Sequence, residues 1–345
     1  MRRTWQWLFG PAAALLACTA LAMAAHQPER RLLEKSTKLA DIRNWDLSTD
    51  YYWLTPDRVL YFQPCLPAEI HRFSANEFDI FERQLSTGQD RLNKKLARFL
   101  KNAGCGRTNV HSVSPDGRWF FGNGAVCRTD DTRVVKKGDS ISDSKWMSDS
   151  RHLLTLALWP MPQNRQQAKA SVHSLDAMGS PLSIDFPNDN QNDPNLNYDR
   201  VVIAPGNRFI APAQLPARGF PTQVKLFQWQ VKPGAPAKWI TIKIAPDRSV
   251  WDLVISPNGK RIAWRMTSTR NPPPPEIVYG LLPSLRPGFE AQEGLWVSRL
   301  DGKDLREIGH LPPGKPITLS NIHWMPDGKH LSFVTNGALW KVPVD

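Results

Sequence analysis

One phrase returns along the whole chain: an apolar strand, a tight turn built from Pro, Asp or Asn and Gly, and a second apolar strand. It reads WLTPDRVLYF at 53–62, SVSPDGRWFF at 112–121, KWMSDSRHLL at 145–154, VIAPGNRFIA at 202–211, VISPNGKRIAW at 254–264 and HWMPDGKHLSF at 323–333. Two residues before the Pro or Ser anchor stands Leu54, Val113, Trp146, Ile203, Ile255 or Trp324, always large and apolar. Five residues after it stands Phe120, Leu153, Ile210, Ile262 or Leu331, with Leu60 in that place in the shorter first copy. Proline presets φ, Asp or Asn follows, and glycine accepts positive φ, so each copy spells a β-hairpin.

A second phrase follows most hairpins after a variable loop: FDIFERQLSTG at 78–88, ASVHSLDAMG at 170–179, VKLFQWQVKPG at 224–234, LWVSRLDG at 295–302 and LWKVPVD at 339–345. SPLSIDF, KWITIKI and DLREIGHL then supply candidate fourth strands, while the second copy has only AVCRTDDTRVVKKG for both. Each unit is a four-stranded antiparallel meander of roughly fifty residues, the size of a propeller blade. A lone twisted meander leaves both faces wet, whereas wedges in a ring bury each face against a neighbour. The chain therefore reads as all-β, a six-bladed β-propeller. The last copy stops where the others enter a fourth strand, and RLLEKSTKLADI at 31–42 resembles those fourth strands. The N-terminal strand is expected to close the last blade.

SPDGRWFF, SPNGKRIAW and MPDGKHLSF, with LW-type strands and LDG turns, resemble the Tol-type, WD-repeat-like β-propellers of bacterial envelope proteins. The resemblance spans nearly the whole chain after its leader. It implies a fold and says little about function. The Tol-Pal propeller protein carries an additional amino-terminal α/β domain, for which this chain has no room.

Residues 1–24 read as a secretory signal, with Arg2 and Arg3, an apolar stretch from Leu8 and the small-x-small site Ala22-Met23-Ala24. Residues 25–345 then form a single propeller domain, periplasmic or secreted. Two alternatives stand beside cleavage: Leu15-Leu16-Ala17-Cys18 is a loose lipobox that would lipidate Cys18, and an uncleaved segment would act as an anchor. Membrane attachment is expected only through one of these routes. The formal charge is +12, of which Arg2 and Arg3 contribute two. Apart from RLNKKLARFLK at 91–101 the basic residues are dispersed, which fits a solvated surface, and an exported address argues against nucleic acid. Cys65, Cys105 and Cys127 remain in the exported chain, enough for one disulfide and a spare thiol, with the pairing open.

Propeller topology puts the loops after each second strand on one rim, and here they are long, as binding loops on rigid scaffolds are. They carry Arg72, Phe73, Trp159, Arg165, Arg218, Phe220, Arg270, Tyr279, Arg286 and Phe289. Arginine interleaved with aromatics is the composition of protein-binding hot spots. The expectation is a monomeric, non-catalytic scaffold binding a protein or peptide on this face, an acidic one included, against the blander alternative of solvated arginines. The cysteines are expected on the same rim. No catalytic residue, metal site or cofactor is assigned: G-x-S-x-G, H-E-x-x-H and phosphate-loop motifs are absent from the sequence. DPNLNYD at 193–199 alternates oxygen ligands but lacks the glycine and glutamate of an EF-hand. The alternative to a scaffold is a hydrolase or lyase with a site at the central channel mouth, to which His71, His111 and His323 are the candidate contributors. The two differ in one respect: a catalyst gathers acid/base side chains into one central place.

Overall fold

The repeated turn is built the same way in four of the hairpins. In Ser114–Trp119 the Ser114 amide donates to the Trp119 carbonyl at 2.9 Å and the Gly117 amide to the Ser114 carbonyl at 2.8 Å. The same two bonds join Met147–His152 with Ser150, Ser256–Arg261 with Gly259, and Met325–His330 with Gly328. The residue closing the inner bond has positive φ in each case, including the non-glycine Ser150 at +57°. The turn Asp or Asn earns its place through its side chain: Asp116, Asp149, Asn258 and Asp327 each accept from the amide two residues on.

The computed structural model describes residues 31–41, 51–64, 78–102, 111–122, 125–137, 144–157, 169–176, 180–185, 196, 200–213, 223–245, 248–269, 291–312 and 319–345. Among them the strands form six four-stranded antiparallel sheets, as the sequence led us to expect. After β1 (Thr37–Asp41), blade 1 holds β2 (Tyr51–Thr55), β3 (Arg58–Pro64), β4 (Phe78–Gln84) and β5 (Gln89–Leu92). Blade 2 holds β6 (His111–Val113), β7 (Trp119–Gly122), β8 (Ala125–Arg128) and β9 (Val134–Lys137). Blade 3 holds β10 (Lys145–Trp146), β11 (His152–Ala157), β12 (Lys169–Ser174) and β13 (Leu182–Asp185). Blade 4 holds β14 (Val202–Ala204), β15 (Arg208–Pro212), β16 (Gln223–Gln230) and β17 (Ala237–Lys243). Blade 5 holds β18 (Arg248–Ile255), β19 (Arg261–Thr269), β20 (Ala291–Arg299) and β21 (Arg306–His310). Blade 6 holds β22 (Ser320–Trp324), β23 (His330–Thr335) and β24 (Ala338–Pro343), and β1 completes it by pairing antiparallel to β24 from Thr37↔Lys341 to Asp41↔Ala338.

Each apolar cluster spans two neighbouring blades. Leu60 and Ile80 meet Phe120 and Cys127 between blades 1 and 2, and Phe121 meets Trp146 and Leu153 between 2 and 3. Phe209 and Trp229 meet Leu154 and Ala170, and Leu226 meets Trp264. Leu295 packs with Trp324 and Phe333, and Val334 and Leu339 with Tyr51 and Val59, which closes the ring. Trp146 and Trp324, at the same place in their blades, each donate an indole N–H to the neighbouring blade, to the Ser112 and Val254 carbonyls.

The seam between blades 6 and 1 also has a polar lock. The Tyr51 hydroxyl donates to the Asn321 carbonyl at 3.0 Å and lies 2.7 Å from Ser332 Oγ, to which the Trp53 indole donates at 2.9 Å. Ser332 is fully buried. Tyr51→Phe should therefore lower stability by about 1–3 kcal/mol, as a buried bonded hydroxyl is lost. Urea unfolding checks this, and the cost should shrink in a Ser332→Ala background; equal costs in both would show that the two hydroxyls do not act together.

Three local features differ from the sequence expectation. In the fourth hairpin the order Pro-Gly-Asn puts Gly206 and Asn207 both at positive φ, so the turn is tighter and Ile203 pairs with Phe209 rather than with Ile210. The basic stretch is part of a helix, α1 (Lys94–Asn102), capped by Asn93, whose side-chain oxygen accepts from the Leu96 amide, and held by buried Leu96. Cys127 is not at a rim loop: it is a free, buried thiol on β8, and burial pushes its pKa up to about 12. Cys65 and Cys105 lie outside the described residues, as do residues 1–30.

Candidate active site at the channel mouth

The first strand of each blade lies innermost: β2 touches β6, β6 touches β10, β10 touches β14, and β18 touches β22. These strands surround the axis, so their polar side chains define what a molecule entering the channel meets. Counting back five residues from the turn prolines Pro56, Pro205, Pro257 and Pro326 gives Tyr51, Arg200, Asp252 and Asn321. The offset thus picks out one residue in each of blades 1, 4, 5 and 6; in β2 and β22 a register shift stands near it, and Tyr51 is buried in the seam.

Asp252 is the centre of the group. The Arg200 guanidinium donates from Nη2 to Asp252 Oδ2 at 2.9 Å, and the Leu253 amide donates to Oδ1 at 2.8 Å. Arg265 is its cross-strand neighbour on β19, beyond a bulge between Val250 and Asp252. Arg265 pairs through Nε with Glu293, whose second oxygen accepts from the Leu319 amide at the entry to blade 6 at 3.1 Å. His323 stands on β22, its ring 4.5 Å from that of Tyr51, edge to face. Burial raises the Asp252 pKa above its ordinary 3.8, against the pull of Arg200, the Leu253 amide, Arg265 and His323.

Desolvation thus outweighs pairing at this carboxyl. The Asp252 side chain keeps 16% of its surface open and Arg200 36%. The sign for stability follows. The protonated Asp252 favours the fold fully below pH 3.8, and that contribution is lost as pH rises through the raised folded value.

Beside Asp252, Trp251 occupies the bulge with 63% of its surface exposed, and its indole N–H donates to Thr267 Oγ1 at 2.7 Å. Elsewhere, a recess of about 380 Å³ between the hairpins of blades 1 and 2 is lined by Arg58, Asp116, Arg118, Arg128 and Asp130 among others. There Arg58 pairs with Glu82 and Arg128 with Asp130. Among the described residues no three His, Cys, Asp or Glu side chains converge as metal ligands.

Of the residues singled out in the sequence, His323 is at the site, while His111 is on β6. His71 and all ten rim residues, Arg72, Phe73, Trp159, Arg165, Arg218, Phe220, Arg270, Tyr279, Arg286 and Phe289, lie outside the described residues, as does all of 193–199 except Leu196. Arg200, Asp252, Arg265 and Glu293 carry no motif. The fixed offset from the turn proline, read across copies, picks out Arg200 and Asp252; no sequence signal marks Arg265 or Glu293.

No known family profile and no curated protein matches the chain. Solved structures of the same fold include a gluconolactonase from Xanthomonas campestris, with 13% identity and a TM-score of 0.45, covering 90% of this chain and 89% of that one. An oligogalacturonate lyase from Vibrio parahaemolyticus has 11% identity and a TM-score of 0.45, covering 90% and 97%. An acylaminoacyl peptidase from Pyrococcus horikoshii has 11% identity and a TM-score of 0.44, covering 89% of this chain and 50% of the peptidase. These three are enzymes by name, which stands against the expectation of a non-catalytic scaffold and with its alternative, a propeller hydrolase or lyase. At this level of similarity the likeness is one of fold, and the six four-stranded sheets are what make the chain a β-propeller.

Proposed function

We propose that the chain is a hydrolase or lyase acting on an anionic substrate at the mouth of its central channel. The observation that carries this reading is the meeting at Asp252 of Arg200 from the approach to blade 4 and Arg265 from blade 5, with His323 on the innermost strand of blade 6. Asp252, once ionised, is the general base that takes a proton from water or from an activated C–H. The electron pair so released moves toward a carbonyl or carboxylate oxygen, where the guanidinium groups of Arg200 and Arg265 hold the developing charge. His323 returns a proton to the leaving group. The three positions come from separate blades, so the rigid ring fixes their geometry without help from a mobile loop.

The test is a survey of turnover with lactones and esters, peptides and acidic oligosaccharides, from about pH 4 to about pH 8. One class should be turned over, with an acidic limb lying above the ordinary carboxyl value of 3.8. Failure to turn over any class, or a limb at the ordinary value, would remove the reading.

The finer kinship with Tol-type envelope propellers and export through the leader at residues 1–24 belong to the same proposal. The repeat phrases and the small-x-small site support them. Amino-terminal sequencing of the exported protein separates cleavage after Ala24 from lipidation at Cys18 and from retention.

A further inference from the structure

We infer that Trp251 is the platform on which a ring of the substrate lies, and that this ring is a sugar bearing a carboxylate. The inference rests on the channel-mouth reading and adds to it the class of molecule bound. Among the described residues the large apolar side chains left in water are Val134, Leu182 and Trp251. Val134 and Leu182 are on β9 and β13, the outermost strands of their blades, where a lone exposed apolar residue is ordinary. Trp251 is on an innermost strand, next in sequence to Asp252.

Three properties of that tryptophan point to a ligand. Its neighbours Trp264 and Trp296 in the same blade are 0% and 1% exposed, so the blade has the means to bury an indole and leaves this one at 63%. The bulge between Val250 and Asp252 sets it out of the regular ladder. Its N–H is already engaged by Thr267, which fixes the indole plane and leaves the flat π face as the part offered to a partner.

The surroundings select the partner's chemistry. Thr267, Asp252, Arg265 and Glu293 occupy the adjacent positions of β18, β19 and β20. A flat aromatic ligand would take water from these charged and hydroxyl groups and offer no hydrogen bond in return. A sugar ring presents C–H bonds to the indole and hydroxyls around its edge to the polar groups. Arg200 is bonded to Asp252 through Nη2 and Arg265 to Glu293 through Nε, so each guanidinium has further N–H groups to turn to a carboxylate on that ring.

The test is calorimetric binding in an Asp252→Asn background, where turnover does not complicate the measurement. The probes are a glucuronate-containing oligosaccharide, a neutral glucose oligomer of equal length, and benzoate. The acidic oligosaccharide should bind best. Trp251→Ala should weaken it about tenfold or more while Trp251→Phe keeps most of the affinity. Thermal unfolding of Trp251→Ala should match the parent, because the side chain is mostly in solvent. Unchanged affinity in Trp251→Ala, no binding of the acidic probe, or equal binding of either control would overturn the inference. Trp251-dependent binding together with full turnover by Asp252→Asn would instead overturn the catalytic reading and leave the platform in place.

Discussion

Asp252→Asn is expected to lower kcat/KM by about 10²–10⁴-fold on the substrate the chain turns over, the usual range for loss of a positioned general base. Asparagine has nearly the same shape and still offers an oxygen to the Leu253 amide or to Arg200, so the site should keep its form. It cannot take up a proton. The loss should therefore fall on kcat, with KM little changed, and the acidic limb of the pH profile should disappear. Stability should change little at neutral pH: the variant avoids desolvating a charge, while Arg200 gives up an ionic partner. Steady-state kinetics with circular dichroism as a folding control decide the matter. Retained kcat in a folded variant would show that Asp252 is a strut between blades and no base.

Gly117→Ala should be among the most destabilising single substitutions in the chain. Gly117 has φ +72°, and an added Cβ would fall on the Leu54 carbonyl oxygen and within 2.9 Å of its carbonyl carbon. Both atoms are backbone of the neighbouring blade, so no side chain can swing aside. Gly206 is the natural control, at φ +77° with nothing within 4 Å of the same added atom. Gly206→Ala should cost only the left-handed backbone term, about 1–2 kcal/mol. Gly117→Ala adds the forced separation of blades 1 and 2 and should cost roughly 3 kcal/mol or more. Urea unfolding of the two variants makes the comparison; equal costs would mean that the contact between the blades yields easily.

The blades could be read from the sequence because each is local: strand, turn and strand sit within ten residues, and the side chains that set the turn are the ones it uses. Where the turn residues changed order, at Gly206-Asn207, the register moved with them. The helix Lys94–Asn102 was less readable, since basic residues dominate its sequence. Cys127 was expected on the same rim as Cys65 and Cys105, yet its strand AVCR is buried at Ala125, Val126 and Cys127 in succession. The site was hidden for a different reason. Arg200 and Asp252 are 52 residues apart, and nothing in either local pattern says which neighbours a ring will bring face to face. His323 was visible only as an isolated histidine beside a turn phrase.

The pairing of β1 with β24 also governs when the molecule can be finished. A strand near the start of the chain has its hydrogen-bonding partner near the end, so the first-made segment waits unpaired until the ribosome has delivered the last. Five sheets can form from their own hairpins as they emerge, but the sixth is assembled from both extremities, the longest loop closure the chain contains. A stalled or C-terminally shortened chain thus lacks β24 and keeps β1 and the facing edge of β23 unpaired, open to pairing with a stray strand. Only a chain complete through its last strand can shut that edge.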